Sequence, residues 1–179
     1  DYYQRLLYAK NQEEPADHML LPSPFAPENR LVLAVDTYSV RYKDRGETIR
    51  PILDLILQAV TLHRGNYLVF CPSFAYIRQV ITTLKQLEVP QDWQIMIQKP
   101  NLNEPEKQKW LDRFRTTDSK PLLAFACMGS VFSEGIDLTG EQLIGVFVIG
   151  TGMPSPSPER ELMRQYYEQE FGSGFHFAY

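Results

Sequence analysis

Short apolar runs alternate with amphipathic segments along most of this chain. The apolar runs are rich in β-branched and aromatic residues, as is typical of buried strands. The segments between them place apolar side chains at helical spacing, so that they share one face. Strands that alternate with helices predict right-handed βαβ units, and therefore an α/β fold whose parallel sheet carries helices on both faces. The predicted strands are residues 31–35, 67–71, 93–97, 122–126 and about 143–149.

Local signals predict where the intervening helices begin. Thr48 can cap a helix whose inward face contains Ile49 and Ile52. Ser73 precedes a second helix, and Asn103 with Glu106 forms a capping box for a third. A last helix is predicted over residues 159–170, after a proline-rich stretch.

Composition limits the classes of protein to consider. The 179 residues, 44% of them hydrophobic, can bury one substantial core. A net charge of −4 provides no overall basic field that would hold nucleic acid or a membrane by charge alone. Cys71 and Cys127 each follow an apolar run and match no disulfide, zinc or iron–sulfur pattern, so we expect buried thiols and no metal site. No apolar stretch is long enough for a membrane span, and we expect a cytoplasmic protein.

The loop after the predicted strand at residues 122–126 is the most informative part of the sequence. Gly129 and Gly135 allow the backbone to approach a ligand closely, while Glu134 and Asp137 offer acceptors for hydroxyl or guanidinium groups. Open α/β sheets bind their ligands outside the carboxyl ends of the strands, where this loop is expected. The alternative is a tight turn with solvated carboxylates.

Two other loops are predicted at the same edge. Residues 41–45, the basic segment, interleave cations with aromatic side chains, a combination that suits phosphates and bases of a single strand. At residues 71–75 a strand turns into a helix, where Ser73 and free backbone amides could bind a phosphate. The alternatives are a solvated connector for the first loop and an ordinary N-cap for the second. For residues 71–75 the local sequence favours an ordinary N-cap by Ser73.

The sequence contains no G-x-x-x-x-G-K-[ST] phosphate loop and no acidic magnesium motif after a strand. A self-contained nucleotide-hydrolysing enzyme is therefore hard to assemble from these residues.

Several segments together resemble the second motor domain of a Rad3/DinG-type (XPD-like) superfamily 2 DNA helicase. Residues 19–29 are similar to the lead-in of that domain, and the basic segment matches the one after its first strand. Residues 70–74 resemble helicase motif IV, and residues 129–138 resemble motif V. Residues 158–161 and 174–179 look like the approach to motif VI.

This resemblance implies a single RecA-like domain over residues 31–179, without its own P-loop and ending before motif VI, preceded by a lead-in segment at residues 1–30. It implies an ATP-dependent DNA helicase that moves on single-stranded DNA, in DNA repair or replication. ATP and Mg²⁺ would be cofactors of the full-length polypeptide, whose N-terminal motor domain would be a partner. The isolated chain is expected to bind neither cofactor and to be inactive.

The resemblance also implies roles for residues of the motif V loop. Glu134 and Asp137 would be catalytic, facing the nucleotide between the two motor domains. Gly129, Ser130 and Gly135 would bring the backbone close to the nucleotide.

Roles in DNA binding follow in the same way. Arg41, Lys43 and Arg45 would attract phosphates, while Ser73 and Phe74 would contact the DNA backbone or a base.

Two other functions fit the pattern of strands and helices. The chain could be a non-catalytic RecA-like module that docks nucleic acid or protein. It could also be an α/β transferase that binds a sugar nucleotide through Glu134 and Asp137.

Overall fold

A computed structural model describes residues 19–116, 120–154 and 156–179 of the chain. These residues divide into two compact units between Val35 and Asp36. In the first unit the described residues form one short 3₁₀ helix, Pro27–Asn29. The lead-in segment predicted for residues 1–30 lies partly outside the described residues.

The second unit contains four strands and five α-helices among the described residues. In chain order they are α1 (Arg45–Leu62), β1 (Asn66–Cys71), α2 (Phe74–Leu84), β2 (Gln94–Ile97), α3 (Glu104–Arg115), β3 (Leu122–Cys127), β4 (Gly145–Val148), α4 (Pro158–Phe171) and α5 (Gly174–Ala178).

The four strands form one parallel sheet in the order β2-β3-β1-β4. The register places Val69 of β1 opposite Phe125 of β3 on one side and Phe147 of β4 on the other. Because all strand pairs are parallel, each of the three connections between consecutive strands must cross over through a helix or a long loop. The predicted α/β fold with a parallel sheet is confirmed.

Each face of the sheet carries its own hydrophobic cluster. Val69 and Phe125 face one cluster, which also contains the apolar stripes of α1 and α2. Leu68 and Ala124, one position away along the strands, face a second cluster together with the inward side of α3. This alternation is the two-residue period of a strand buried on both faces, and it confirms the prediction of helices on both sides.

The predicted start of the first helix is wrong by one turn. α1 begins at Arg45, directly after a 3₁₀ turn at Tyr42–Asp44. Thr48 lies inside the helix, and its hydroxyl donates to the carbonyl oxygen of Asp44 at 3.1 Å. A threonine hydroxyl can bond to a carbonyl four residues back as readily as it can cap, so its presence alone does not fix the helix start.

The strand predicted at residues 31–35 is absent from the structure. Leu31 and Leu33 belong to no helix or strand and are exposed, at 83% and 77% of their accessible surface. An apolar β-prone run favours the extended conformation, but a strand exists only where a neighbour completes its hydrogen bonds. The described residues provide none here.

The capping box at the start of α3 is present as predicted. The Asn103 side chain accepts from the backbone N–H of Glu106 at 2.9 Å, and the Glu106 carboxylate accepts from the Asn103 N–H at 3.0 Å. Both bonds satisfy donors that the helix itself cannot pair.

Replacing Asn103 with Ala should therefore lower the free energy of unfolding by about 1 kcal/mol, because one capping acceptor is lost. Asn103→Asp keeps an acceptor and should stay close to the wild type. Urea denaturation of the three proteins measures the difference. Equal stability of the Ala and Asp variants would contradict a capping role for this side chain.

Candidate functional site

The loops after β1 and β3 begin side by side at the carboxyl edge of the sheet. Cys71 and Cys127 are register partners at the ends of these strands. The backbone N–H of Met128 donates to the Cys71 carbonyl oxygen at 2.8 Å, so the pairing continues one residue beyond β3. We call residues 71–75, where β1 ends and α2 begins, the Ser73 turn. The prediction that this turn and the glycine-flanked loop lie at the same edge of the sheet is confirmed. We call residues 128–138 the β3 loop.

Arg45 joins the basic segment to this edge. Its guanidinium lies 5.3 Å from the ring centroids of both Tyr42 and Tyr76, and its Nε donates to the Val40 carbonyl oxygen at 3.4 Å. Tyr76 is fully buried in the first turn of α2, three residues after Ser73. Cation–π contacts of this kind hold the basic segment against the start of α2.

Arg41 and Lys43 differ from Arg45 in their surroundings. Both side chains are exposed, and neither forms an ion pair within the described part of the chain. These two cations are available to an anion, whereas Arg45 already has a structural role.

Ser73 acts as the N-cap of α2. Its hydroxyl oxygen accepts from the Tyr76 backbone N–H at 3.1 Å, which is the alternative that the local sequence favoured. The hydroxyl hydrogen can still be donated, since a serine side chain both donates and accepts. Phe74 is half-buried against the cluster under α1 and α2.

The β3 loop makes two consecutive turns. The Ser130 N–H donates to the Cys127 carbonyl oxygen at 3.2 Å, and the Ser133 N–H donates to the Ser130 carbonyl oxygen at 2.9 Å. Gly129 and Gly135 both have φ of 68°, in the left-handed region. Glycine adopts this conformation without the strain that a side chain would cause, which explains the two glycines.

Phe132 anchors the middle of the β3 loop. It is fully buried, and its ring stacks on Trp110 of α3 with centroids 3.9 Å apart and an interplanar angle of 21°. No motif in the sequence indicated a role for Phe132. The loop also contains four other apolar residues, Met128, Val131, Ile136 and Leu138, so no local pattern marks Phe132 as the buried one.

Glu134 and Asp137 lie beyond this anchor and are exposed. The structure records no hydrogen bond or ion pair to either carboxylate from any described residue. Their oxygens are therefore free to accept hydrogen bonds from a ligand or from another domain.

Gln98, which follows β2 at the same edge, is a second residue that the sequence analysis missed. Only 5% of its surface is exposed. Its side-chain oxygen accepts from the Cys127 backbone N–H at 2.8 Å and from the Ser130 hydroxyl at 3.0 Å. A polar residue directly after a predicted strand was the available signal.

Burial keeps the two thiols at this edge protonated. Burial, with a further contribution from Cys127, raises the pKa of Cys71 to about 12. Burial also raises the pKa of Cys127, although a hydrogen bond from the Phe74 backbone opposes the shift. A nucleophilic thiol needs the opposite shift, so these cysteines fit the structural role predicted for them.

The segment from α4 to α5 is held together by its own charges. The Ser157 hydroxyl caps α4 by accepting from the Arg160 N–H at 3.3 Å. The Arg160 guanidinium donates to the Ala178 carbonyl oxygen at 2.6 Å, and Arg164 forms two hydrogen bonds to Glu161 at 2.8 and 2.9 Å. Arg160 therefore links α4 to α5, whereas the Arg164–Glu161 pair lies within α4.

Neither a membrane span nor a metal cluster is found in the described residues. None of their helices combines the length and hydropathy needed to cross a bilayer. No three or more His, Cys, Asp or Glu side chains among them are placed to hold a metal ion.

The sequence profile of a family described as helicase C-terminal domain matches residues 56–179. This is more than half of the chain, which therefore belongs to the helicase C-terminal domains of the Rad3/DinG type. The matched range contains Ser73, Gln98 and the β3 loop, and it begins after the basic segment.

A protein of Methanocaldococcus jannaschii named "Probable ATP-dependent helicase" is 27% identical over 152 residues, which cover 81% of this chain. The chain spans 22% of the length of that relative. The predicted relation to ATP-dependent helicases is confirmed at the level of the domain.

Truncation of the Phe132 side chain should show how much the β3 loop depends on its apolar anchor. Phe132→Ala is expected to lower the free energy of unfolding by about 3–5 kcal/mol, because it removes a fully buried ring and leaves a cavity. Phe25→Ala, at a ring that is 81% exposed, is the matched control and should have little effect. Similar losses from both substitutions in urea denaturation would contradict the anchor.

The raised pKa of Cys71 predicts a loss of stability at high pH. In the unfolded chain the thiol loses its proton near its ordinary pKa of 9.0, whereas in the fold it keeps the proton up to about 12. The folded state then binds more protons over this range, so stability is full below pH 9.0 and falls as the pH rises toward 12.

Urea unfolding between about pH 8 and about pH 11 measures this slope. Cys71→Val removes the titrating group and should flatten it. Tyr76, whose pKa is raised to about 12 by burial and in part by Cys71, still titrates in the variant, so the slope should be reduced and not abolished. Identical slopes would show that Cys71 is accessible to hydroxide in the folded state.

Proposed function

We propose that this chain is the C-terminal motor domain of an ATP-dependent DNA helicase of the Rad3/DinG type. In this proposal residues 31–179 form the domain, and its carboxyl edge serves both the nucleotide and single-stranded DNA. The observation that supports it most is the convergence of the basic segment, the Ser73 turn and the β3 loop at one edge of a domain of this family.

The β3 loop is proposed to face the nucleotide. Glu134 and Asp137 are exposed acceptors without partners among the described residues. The left-handed turns at Gly129 and Gly135, with Ser130 between them, expose backbone to a ligand. These groups suit a ribose hydroxyl or the arginines of a coupled motif better than a metal-bound phosphate, for which a cation or a phosphate loop would be needed.

ATP and Mg²⁺ are proposed as cofactors of the full-length polypeptide. ATP hydrolysis supplies the free energy for movement, and Mg²⁺ neutralises charge on the phosphates. The sequence in hand contains no phosphate loop, so we propose that the N-terminal motor domain supplies one and that the isolated chain does not hydrolyse ATP.

The basic segment and the Ser73 turn are proposed to bind single-stranded DNA. Arg41 and Lys43 are exposed cations, and Arg45 fixes their position through its contacts with aromatic rings. Ser73 retains a hydroxyl hydrogen for a phosphate, and half-buried Phe74 adjoins it. Because contacts of this kind release counterions, DNA affinity should fall steeply with salt. A role in DNA repair or replication and a cytoplasmic location complete the proposal.

The function is tested by ATP hydrolysis of the full-length polypeptide with and without single-stranded DNA. Glu134→Gln should lower the DNA-stimulated rate about ten- to a hundredfold, since a hydrogen bond to a charged group contributes about 1.5–3 kcal/mol. Its DNA affinity should change far less, because the carboxylate faces the nucleotide. Asp137→Ala should lose the stimulation.

Glu141→Gln is the matched control, since Glu141 lies in the 3₁₀ turn Gly140–Gln142, outside the β3 loop. Equal losses of hydrolysis and DNA affinity in Glu134→Gln would refute the role of the loop. An absence of hydrolysis under every condition would favour the non-catalytic docking module. Nucleotide binding by the isolated chain would favour the sugar-nucleotide transferase.

A further inference from the structure

The side chain of Gln98 ties two strands together at the carboxyl edge. Its backbone N–H donates to the Phe125 carbonyl oxygen at 2.9 Å, which extends the pairing of β2 with β3 by one residue. Its side-chain oxygen then accepts from the Cys127 N–H and the Ser130 hydroxyl. Gln98 thus binds the last residue of β3, Cys127, which is 29 positions away in sequence. The same side-chain oxygen also binds Ser130 in the β3 loop.

The chemistry of these contacts requires an acceptor. A backbone N–H can only donate, so the side-chain amide must present its oxygen to Cys127, and the amide nitrogen could not replace it. Ser130 then donates to the same oxygen. Since Gln98 is nearly buried, water cannot readily substitute for this oxygen if the side chain is shortened or made apolar.

The β3 loop therefore has two anchors of different chemistry. Gln98 fixes its first turn through Ser130, and Phe132 fixes its middle through Trp110. Glu134 and Asp137 follow these anchors and are exposed. The position of the two carboxylates depends on where the first turn is held, because only a few residues separate them from it.

We propose that Gln98 is a positioning residue of this motor domain, which transmits DNA binding to ATP hydrolysis by holding the Ser130 turn. The inference rests on the proposed function of the β3 loop and adds to it a residue from a different strand. Gln98 does not itself contact nucleotide or DNA in this proposal. It acts through the Ser130 hydroxyl and the Cys127 amide.

The test uses the full-length polypeptide and the ratio of ATP hydrolysis rates with and without single-stranded DNA. Gln98→Met keeps the length of the side chain but removes the acceptor, and should lower this ratio about tenfold, as small misplacements in active sites do. Gln98→Glu keeps an acceptor oxygen and should retain the ratio. Gln94→Met makes the same chemical change at the start of β2, far from the loop along the strand, and should leave the ratio unchanged.

The ratio separates positioning from mere stability. A variant that is partly unfolded loses both rates in proportion, so its ratio stays constant. Ser130→Ala removes one of the two donors and should lower the ratio as well. If Gln98 acts through Ser130, Gln98→Met combined with Ser130→Ala should be no worse than the more affected single variant.

An unchanged ratio in Gln98→Met, or an equal loss in Gln98→Glu, would overturn the inference while the proposed function stands. If Gln98→Met does not fold, Ser130→Ala decides: a lowered ratio supports the inference, and a wild-type ratio overturns it. A wild-type polypeptide without DNA stimulation would instead refute the proposed function, and this inference with it.

Discussion

The parallel pairing of β1 with β3 is the constraint on which the rest of the structure depends. Six residue pairs, from Asn66 with Leu122 to Cys71 with Cys127, fix these central strands against each other. A slip by one residue would turn every side chain of one strand to the opposite face, exchanging the two hydrophobic clusters. Because both strands end at the same register position, the Ser73 turn and the β3 loop must also start together.

The β3 loop has a first half that packs against the domain and a second half whose carboxylates are exposed. The first half is held by the hydrogen bond from the Ser130 hydroxyl to the Gln98 oxygen and by the stacking of Phe132 on Trp110. Glu134 and Asp137 are exposed in the second half of the loop. A loop that is rigid at its base can present carboxylates to a ligand at low entropic cost, which suits the nucleotide site proposed above.

The basic segment likewise contains one residue that packs against the domain and others that are exposed. The chain as a whole is acidic, so nucleic-acid binding would depend on local cations. The Arg45 guanidinium contacts two aromatic rings and donates a hydrogen bond to a carbonyl oxygen, while the Arg41 and Lys43 side chains are exposed. One cation thus orients the segment, and the other two are left for a ligand.

The sequence by itself determined the features that depend on neighbours along the chain. The capping box at Asn103 and the buried strands β1 and β3 follow from hydrogen-bonding side chains and periodicity within a few residues, and the structure agrees with them.

Tertiary structure decided what depends on partners distant in sequence. Residues 31–35 have the composition of a strand, but the structure assigns no strand to them, because composition alone does not supply a hydrogen-bonding neighbour. Gln98 and Phe132 are important only because β2 and α3 pack next to the β3 loop, and no local pattern encodes that proximity. A hydrogen bond or a ring stack needs two groups within a few ångströms, and for these pairs only the folded chain brings the groups together.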